Sequence, residues 1–176
     1  AIDPTGGPDA TRPGSRGAPL ATRDAATRAA ILQLDGMLDT KQALQAWEAA
    51  LAAPVWDRDP VWLHGDLLAG NVLVHQGRVS AVIDFGALGV GDPACDLVIA
   101  WSLFAGESRQ AFRQALGVDD AMWARGRGHA LSQAVIFIPY YLHSNPAGVA
   151  HARRQLDAVL AECVHPPLRS YAGPPK

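Results

Sequence analysis

The chain has 176 residues, of which 49% are hydrophobic and 18% are charged, and its formal net charge at pH 7 is −2. A chain of this length and composition is expected to fold around one sizeable core, so two full domains are not expected. A net charge so close to zero provides no strong field to attract nucleic acid or an anionic membrane surface, and we predict neither as a partner.

Cysteine content and apolar patterning restrict the class of protein further. The two cysteines, Cys95 and Cys163, lie far apart and show no metal-ligand spacing, which argues against a disulfide framework and against a zinc site. No charged-then-apolar signal sequence opens the chain, and no stretch approaches the roughly 18 apolar residues that a membrane span needs. The sequence therefore predicts a cytoplasmic protein that does not enter a membrane.

Prolines and glycines mark the two ends of the chain. Residues 1–20 contain four prolines and four glycines, too many breakers for a regular element, and they predict an extended arm. Residues 165–176 contain four more prolines and predict a proline-rich tail. The segment between them, 21–164, is predicted to form a single lobe.

The pattern of apolar and capping residues predicts an α+β, mainly helical fold for this lobe. Helices are expected over 21–34, 40–53, 94–104, 108–116, 119–142 and 146–164. Short β-rich runs at 61–63, 72–74 and 79–83 predict strands, and Gln76-Gly77 between the last two predicts a small β-hairpin. The glycine-rich run 86–91 predicts a loop that ends at Asp92, a helix cap.

Two carboxylates and one amide flank the predicted hairpin. Asp66 and Asn71 lie in the string H-x-D-x-x-x-x-N before it, and Asp84 lies in D-F-G directly after it. Because a hairpin returns the chain to where it started, we expect these three side chains to converge. Asn71 and Asp84 offer the oxygen ligands that Mg²⁺ takes from proteins, which leaves Asp66 to accept a proton from a hydroxyl. The alternative for each carboxylate is a structural role in a loop turn.

The stretch from Trp62 to Trp101, with HGDLLAGNVLV and GRVSAVIDFGALGVGDPACDL, closely resembles the aminoglycoside phosphotransferase family, which has a protein-kinase-like fold. Two positions depart from the family pattern: Ala69 stands where many relatives have Pro, and Ala87 stands where many have another acid. Gly65 replaces the Arg of the protein-kinase H-R-D motif, as is usual in the small-molecule branch, which argues against control by activation-loop phosphorylation.

The resemblance implies roles for five residues. Asp66 would be the catalytic base, and Asn71 and Asp84 would be the Mg²⁺ ligands. His64 would shape the catalytic loop. Asp96 would be the buried acid that hydrogen-bonds the backbone of this loop, while charge pairing with a helix N-terminus is the alternative for Asp96.

The parts of a kinase-like enzyme that hold the nucleotide phosphates are not found in these 176 residues. No G-x-G-x-x-G occurs, and the only lysines are Lys41, in a predicted helix, and Lys176, in the tail. A kinase-like enzyme needs a Gly-rich loop over the phosphates and a strand-borne Lys. We therefore expect the chain to be a kinase-like C-terminal lobe without its N-terminal nucleotide-binding lobe.

The activity implied by the resemblance is phosphoryl transfer from ATP or GTP, with Mg²⁺, to a hydroxyl of a small molecule. The acceptor would be an aminoglycoside-type antibiotic or a related alcohol. We expect the chain alone to be inactive, and we expect either self-association or an N-terminal lobe supplied in trans. The alternative is a non-catalytic binding or regulatory remnant of such a kinase.

Histidines and acidic residues elsewhere carry weaker signals. Four histidines lie on or near predicted helices or the tail without the H-E-x-x-H spacing, which argues against a metal hydrolase: His129, His143, His151 and His165. Three acidic residues fit a cleft for a polycationic sugar: Glu107, Asp119 and Asp120. Helix capping is the alternative for Asp119.

Overall fold

The computed structural model describes residues 2–12 and 15–164, so the predicted proline-rich tail at 165–176 lies outside the described residues. The fold is mainly helical with two small antiparallel sheets, which confirms the predicted fold class at this level. The helices are α1 Asp24–Gln33, α2 Thr40–Leu51, α3 Ile99–Ser102, α4 Gly106–Leu116, α5 Asp120–Tyr141 and α6 Pro146–Val164, and the strands are β1 Val61–Leu63, β2 Val72–His75, β3 Arg78–Val82 and β4 Gly89–Gly91.

Helix α5 lies at the centre of the core. It packs against α1, α2, α6 and a 3₁₀ helix, Pro93–Val98. Leu131 and Val135 of α5 are almost fully buried, together with Ile31 of α1 and Trp47 of α2. Burial of each aliphatic side chain contributes roughly 1.5–3 kcal/mol, so this packing holds α5 in place. Even α5, the longest helix of the described chain, lacks the apolar character needed to cross a membrane.

The predicted hairpin is present. Strands β2 and β3 pair antiparallel, with Val72 opposite Val82, and the connecting residues Gln76 and Gly77 both have positive φ, 49° and 73°. Two successive positive φ values are typical of the turn whose twist matches that of the flanking strands. The hairpin therefore returns the chain to the end of the loop from which it started.

Residues 89–91 form a strand where the glycine-rich run predicted a loop. Strand β4 pairs antiparallel with β1, with Val61 opposite Gly91 and Leu63 opposite Gly89. The prediction was wrong because this run has no alternating apolar pattern. Gly89 instead allows the arm to pack closely against this strand, because a Cβ on Gly89 would lie 2.6 Å from the Cβ of Ala10.

The arm at the start of the chain lies against β4. The Ala10 N–H donates to the Val90 carbonyl at 3.0 Å, and the Val90 N–H donates to the Pro8 carbonyl at 2.8 Å. Ala10 and Leu20 are buried. These contacts bring the following residues of the arm, including Arg16, next to the loop that joins β1 to β2.

The apolar segment predicted as one helix over 94–104 is the 3₁₀ helix Pro93–Val98 followed by α3. The predicted cap is present, because the Asp92 carboxylate accepts the Ala94 N–H at 2.9 Å. Leu97 and Val98 face the core and are buried. The carboxylate of Asp96, in the same turn, reaches the loop between β1 and β2.

Candidate active site

The loop at 64–71, which joins β1 to β2, is fixed at its start by Asp96. Its carboxylate accepts the His64 N–H at 2.7 Å and the Gly65 N–H at 2.8 Å. Burial raises the pKa of the Asp96 carboxyl, and the two backbone donors act in the opposite direction. A partly buried acceptor with two donors holds this turn in one conformation.

The backbone at Gly65 leaves no space for a side chain. Its φ is +81°, and a Cβ there would lie 2.3 Å from the Ala87 carbonyl oxygen. Positive φ is costly for residues other than Gly. The backbone contact therefore explains why this loop has Gly rather than Arg between His64 and Asp66.

His64 ties the loop to the end of the hairpin. Its Nδ1 accepts the Asp66 N–H at 3.2 Å, so the proton of the neutral ring lies on Nε2, which donates to the Ile83 carbonyl at 3.0 Å. The ring also packs against Phe85, with 4.7 Å between the ring centroids. Asp66 and the segment after β3 are therefore positioned by one buried side chain.

The structure brings Asp66 and Asn71 into direct contact. The Asn71 amide nitrogen donates to the Asp66 carbonyl at 2.8 Å and to the Asp66 Oδ2 at 3.3 Å. Both neighbours are acceptors, so the amide oxygen of Asn71 points away from Asp66. Within the described residues that oxygen accepts no side-chain or backbone hydrogen bond.

Asp84 lies one residue beyond the point where the hairpin closes. The Ile83 N–H donates to the Asn71 carbonyl at 3.0 Å, which holds the two ends of the hairpin together. Asp84 itself has left-handed backbone, with φ 65° and ψ 61°, a conformation that costs roughly 1–3 kcal/mol for a residue other than Gly. Its exposed carboxylate makes no hydrogen bond or ion pair with any described residue.

Asn71 and Asp84 fit a magnesium site by their chemistry. An amide oxygen and a carboxylate, both without another partner in the described part of the chain, are hard oxygen donors. Mg²⁺ is usually held by one or two such side chains and completes its octahedron with water and substrate phosphates. These two residues are therefore candidates to hold the ion.

Several contacts of Asp66 were not predicted from the sequence. Its Oδ1 lies 3.3 Å from a guanidinium nitrogen of Arg16 and accepts from the Gln133 amide at 3.4 Å. Arg23 and His129 lie in the same small pocket. No local motif relates these residues to Asp66, because they come from the arm and from α5 and meet the loop only when the core is packed.

Two of the three acidic residues considered for a cationic sugar, Asp119 and Asp120, are engaged elsewhere, and the third, Glu107, is exposed in the first turn of α4. Asp119 caps α5 by accepting the Met122 N–H at 2.7 Å and pairs with Arg58. Asp120 pairs with Arg113. Neither acidic residue lines the pocket beside Asp66.

His129 makes the stability of the fold dependent on pH. Burial, and then the nearby arginines, lower its pKa from 6.5 to about 3. The unfolded chain therefore binds a proton at this site between those two values, and stability is lost as pH falls below 6.5, by about 1.4 kcal/mol per pH unit.

We expect His129→Gln to remove this contribution. Urea unfolding at pH 7 and pH 5 should show that the wild type loses about 2 kcal/mol more than the variant over this interval. An equal loss in both proteins would contradict the assignment.

One protein family and three individual proteins are similar to this chain. Residues 1–129 match the model of a family described as "Phosphotransferase enzyme family". Over 60 residues, which are 34% of this chain and 22% of the relative, the chain is 38% identical to an aminoglycoside 3'-phosphotransferase of Escherichia coli.

Among solved structures, a macrolide 2'-phosphotransferase type I is 24% identical with a TM-score of 0.49, over 78% of this chain and 48% of that one. The ADP-bound aminoglycoside phosphotransferase APH(2'')-Ib is 20% identical with a TM-score of 0.42, over 80% of this chain and 51% of that one. The matched regions span about half the length of these two proteins and a smaller part of the Escherichia coli relative.

Proposed function

This chain belongs to the phosphotransferase enzyme family, and from this premise we propose that it carries the catalytic and acceptor-binding residues of a Mg²⁺-dependent small-molecule kinase. The reaction is transfer of the terminal phosphoryl group of ATP or GTP to a hydroxyl of a small molecule. The observation that carries the proposal is the hydrogen-bonded pair of Asp66 and Asn71, with Asp84 one residue past the backbone contact between Ile83 and Asn71.

Asp66 is proposed to accept the proton of the acceptor hydroxyl. Its side chain is partly exposed, so an acceptor can reach it. The Asn71 amide and the Gln133 amide hold the carboxylate in one orientation. A fixed base next to the attacking oxygen supports phosphoryl transfer mainly by positioning, because the reacting phosphoryl group needs little covalent assistance.

Asn71 and Asp84 are proposed to hold the magnesium ion. When bound, the ion would neutralise charge on the nucleotide phosphates and orient them. The amide of Asn71 links the two functions, since its nitrogen contacts Asp66 while its oxygen remains free for a ligand. His64 and Asp96 are positioning residues, because they hold the loop and the hairpin end without facing the acceptor.

The hairpin is proposed to contact the nucleotide and a nucleotide-binding lobe. Six large apolar side chains on and beside the hairpin are 36–63% exposed: Leu73, Val74, Val79, Val82, Ile83 and Phe85. Exposed apolar side chains grouped on one small element are typical of an interaction surface. The 176 residues contain no Gly-rich loop to clamp the phosphates, so that function would come from such a lobe.

We expect the 176-residue chain alone to consume no measurable ATP with any hydroxylated acceptor, and to self-associate through the exposed apolar side chains of the hairpin. Without a phosphate clamp, the alignment on which phosphoryl transfer depends is lost. An ATP-consumption assay and light scattering over a concentration series measure the two effects. Acceptor-dependent turnover by a strictly monomeric chain would contradict this expectation.

The function itself is tested with a polypeptide in which a nucleotide-binding lobe of the family precedes this chain. Transfer of ³²P from labelled ATP or GTP to a panel of alcohols is expected for this polypeptide. The alternative is a non-catalytic binding module, for which Mg²⁺–ATP would bind without any acceptor becoming labelled.

A further inference from the structure

A small pocket lies beside Asp66 on the side away from the hairpin. Arg16, Arg23, His129 and Gln133 line it together with Asp66. It measures about 270 Å³ including its open mouth, and it has room for about one water-sized group. An oxygen-bearing group of a ligand could therefore enter it while the rest of the ligand lies outside.

The pocket is separate from the proposed metal site. Neither Asn71 nor Asp84 contributes to its lining. Nucleotide phosphates held at those two residues would approach Asp66 from the hairpin side. A ligand in the pocket would approach Asp66 from α5 and the arm, which is the side left for the acceptor.

The pocket has one more positive than negative charge. Arg16 is paired with Asp66 at 3.3 Å. Arg23 donates from its Nε to the Ser132 hydroxyl at 3.0 Å, and within residues 2–12 and 15–164 it has no carboxylate at ion-pair distance. A partly buried guanidinium without a counter-ion is costly, so Arg23 would gain from an anionic partner.

His129 provides a second, independent observation. It is 4% exposed, and its Nε2 is buried without a hydrogen-bond partner in the described part of the chain. The low pKa of its imidazole, about 3, keeps the ring neutral at physiological pH. A neutral imidazole protonated at Nε2 can donate to an oxygen, and buried polar atoms are normally satisfied by such a partner.

Building on the proposed function, we propose that the acceptor is an alcohol that carries an oxyanion, either a carboxylate or a phosphate. The oxyanion pairs with Arg23 and accepts a hydrogen bond from His129 Nε2, while the hydroxyl faces Asp66. A polycationic acceptor is disfavoured at this pocket, because its ammonium groups would lie against Arg16 and Arg23.

The test uses four two-carbon alcohols that differ in charge: glycolate, 2-hydroxyethyl phosphate, ethylene glycol and ethanolamine. Each is titrated into the ¹⁵N-labelled chain, and NMR follows the Arg23 Nε–H, the Gln133 side-chain amide and the backbone amide of His129. We expect saturable shifts with glycolate or 2-hydroxyethyl phosphate and none with the other two. Comparison of the two anions decides between a carboxylate and a phosphate.

Variants of the chain test whether Arg23 is responsible. Arg23→Gln is expected to weaken anion binding at least tenfold, and Arg23→Lys, which keeps the charge but loses the planar fork, is expected to weaken it less. Arg153→Gln, at an exposed position on α6, is the matched control and should leave the affinity unchanged. Asp66→Asn removes the competing negative charge and should strengthen anion binding.

Three results would overturn the proposal: ethanolamine or ethylene glycol binding as tightly as the anions, absence of saturable shifts with both anions, or unchanged anion affinity in both Arg23 variants. These results concern binding only and leave the phosphoryl-transfer assay as a separate test. If the protein binds the anions but transfers no labelled phosphate to any acceptor, the oxyanion site is supported and the kinase function is rejected.

Discussion

Replacing Asp66 by Asn is expected to lower kcat for phosphoryl transfer by about 10²- to 10⁴-fold, the usual contribution of a positioned general base. The substitution keeps the size of the side chain and an acceptor for the Asn71 amide, which contacts Oδ2 at 3.3 Å. It removes the group that takes the hydroxyl proton. Nucleotide affinity should change little, because the proposed metal ligands are Asn71 and Asp84.

The measurement is steady-state transfer, with nucleotide affinity determined in parallel, in the polypeptide that carries a nucleotide-binding lobe ahead of this chain. Asp57→Asn is the matched control, since Asp57 is exposed and lies outside the pocket. Full activity of Asp66→Asn would remove the general-base assignment. A loss confined to KM would instead assign Asp66 to acceptor binding.

Replacing Asp92 by Asn is expected to lower the free energy of unfolding by about 3–5 kcal/mol, the typical result of leaving one member of a buried ion pair alone. Asp92 and Arg125 are each only 7% exposed at the side chain, with Nε to Oδ2 at 2.8 Å and Nη2 to Oδ1 at 3.3 Å. Asn keeps an oxygen to cap the Ala94 N–H. The substitution therefore removes the negative charge and the Oδ2 acceptor of the Arg125 Nε–H while it keeps the cap.

Urea unfolding of Asp92→Asn and of Asp9→Asn provides the comparison. Asp9 also pairs with an arginine, Arg12, at 3.1 Å, but the two side chains are 45% and 78% exposed. Such exposed pairs contribute about 0–1 kcal/mol. A loss at Asp92 no larger than the loss at Asp9 would show that burial of the pair does not govern its contribution.

The helices were predictable because their signals are local. Asp39 and Asp119 each cap a helix in the structure, accepting the backbone N–H three residues later, and such caps are legible in a sequence. The hairpin was predictable from Gln76-Gly77 for the same reason. Strand β4 was not, because Gly89–Gly91 has no alternating pattern and pairs with a distant strand, in which Trp62 lies 28 residues before its partner Val90.

Some residues of the candidate site were likewise predictable from the sequence, and others were not. Asp66, Asn71 and Asp84 belong to motifs of fixed spacing, so they could be named from the sequence, and their catalytic roles stay a prediction. Arg16 and Gln133 contact Asp66 only because the arm lies on β4 and α5 packs against the 3₁₀ helix. Contacts of this kind depend on tertiary packing and leave no local pattern.

The central claim, that Asn71 and Asp84 hold a divalent cation next to Asp66, is tested most directly with Mn²⁺ and ADP. Paramagnetic broadening of amide resonances detects even weak binding, so the 176-residue chain itself can be used. The account predicts broadening centred on residues 66, 71 and 84–86, and loss of that broadening in Asp84→Asn but not in the exposed control Asp57→Asn. Broadening centred elsewhere, or broadening that persists in Asp84→Asn, would contradict it.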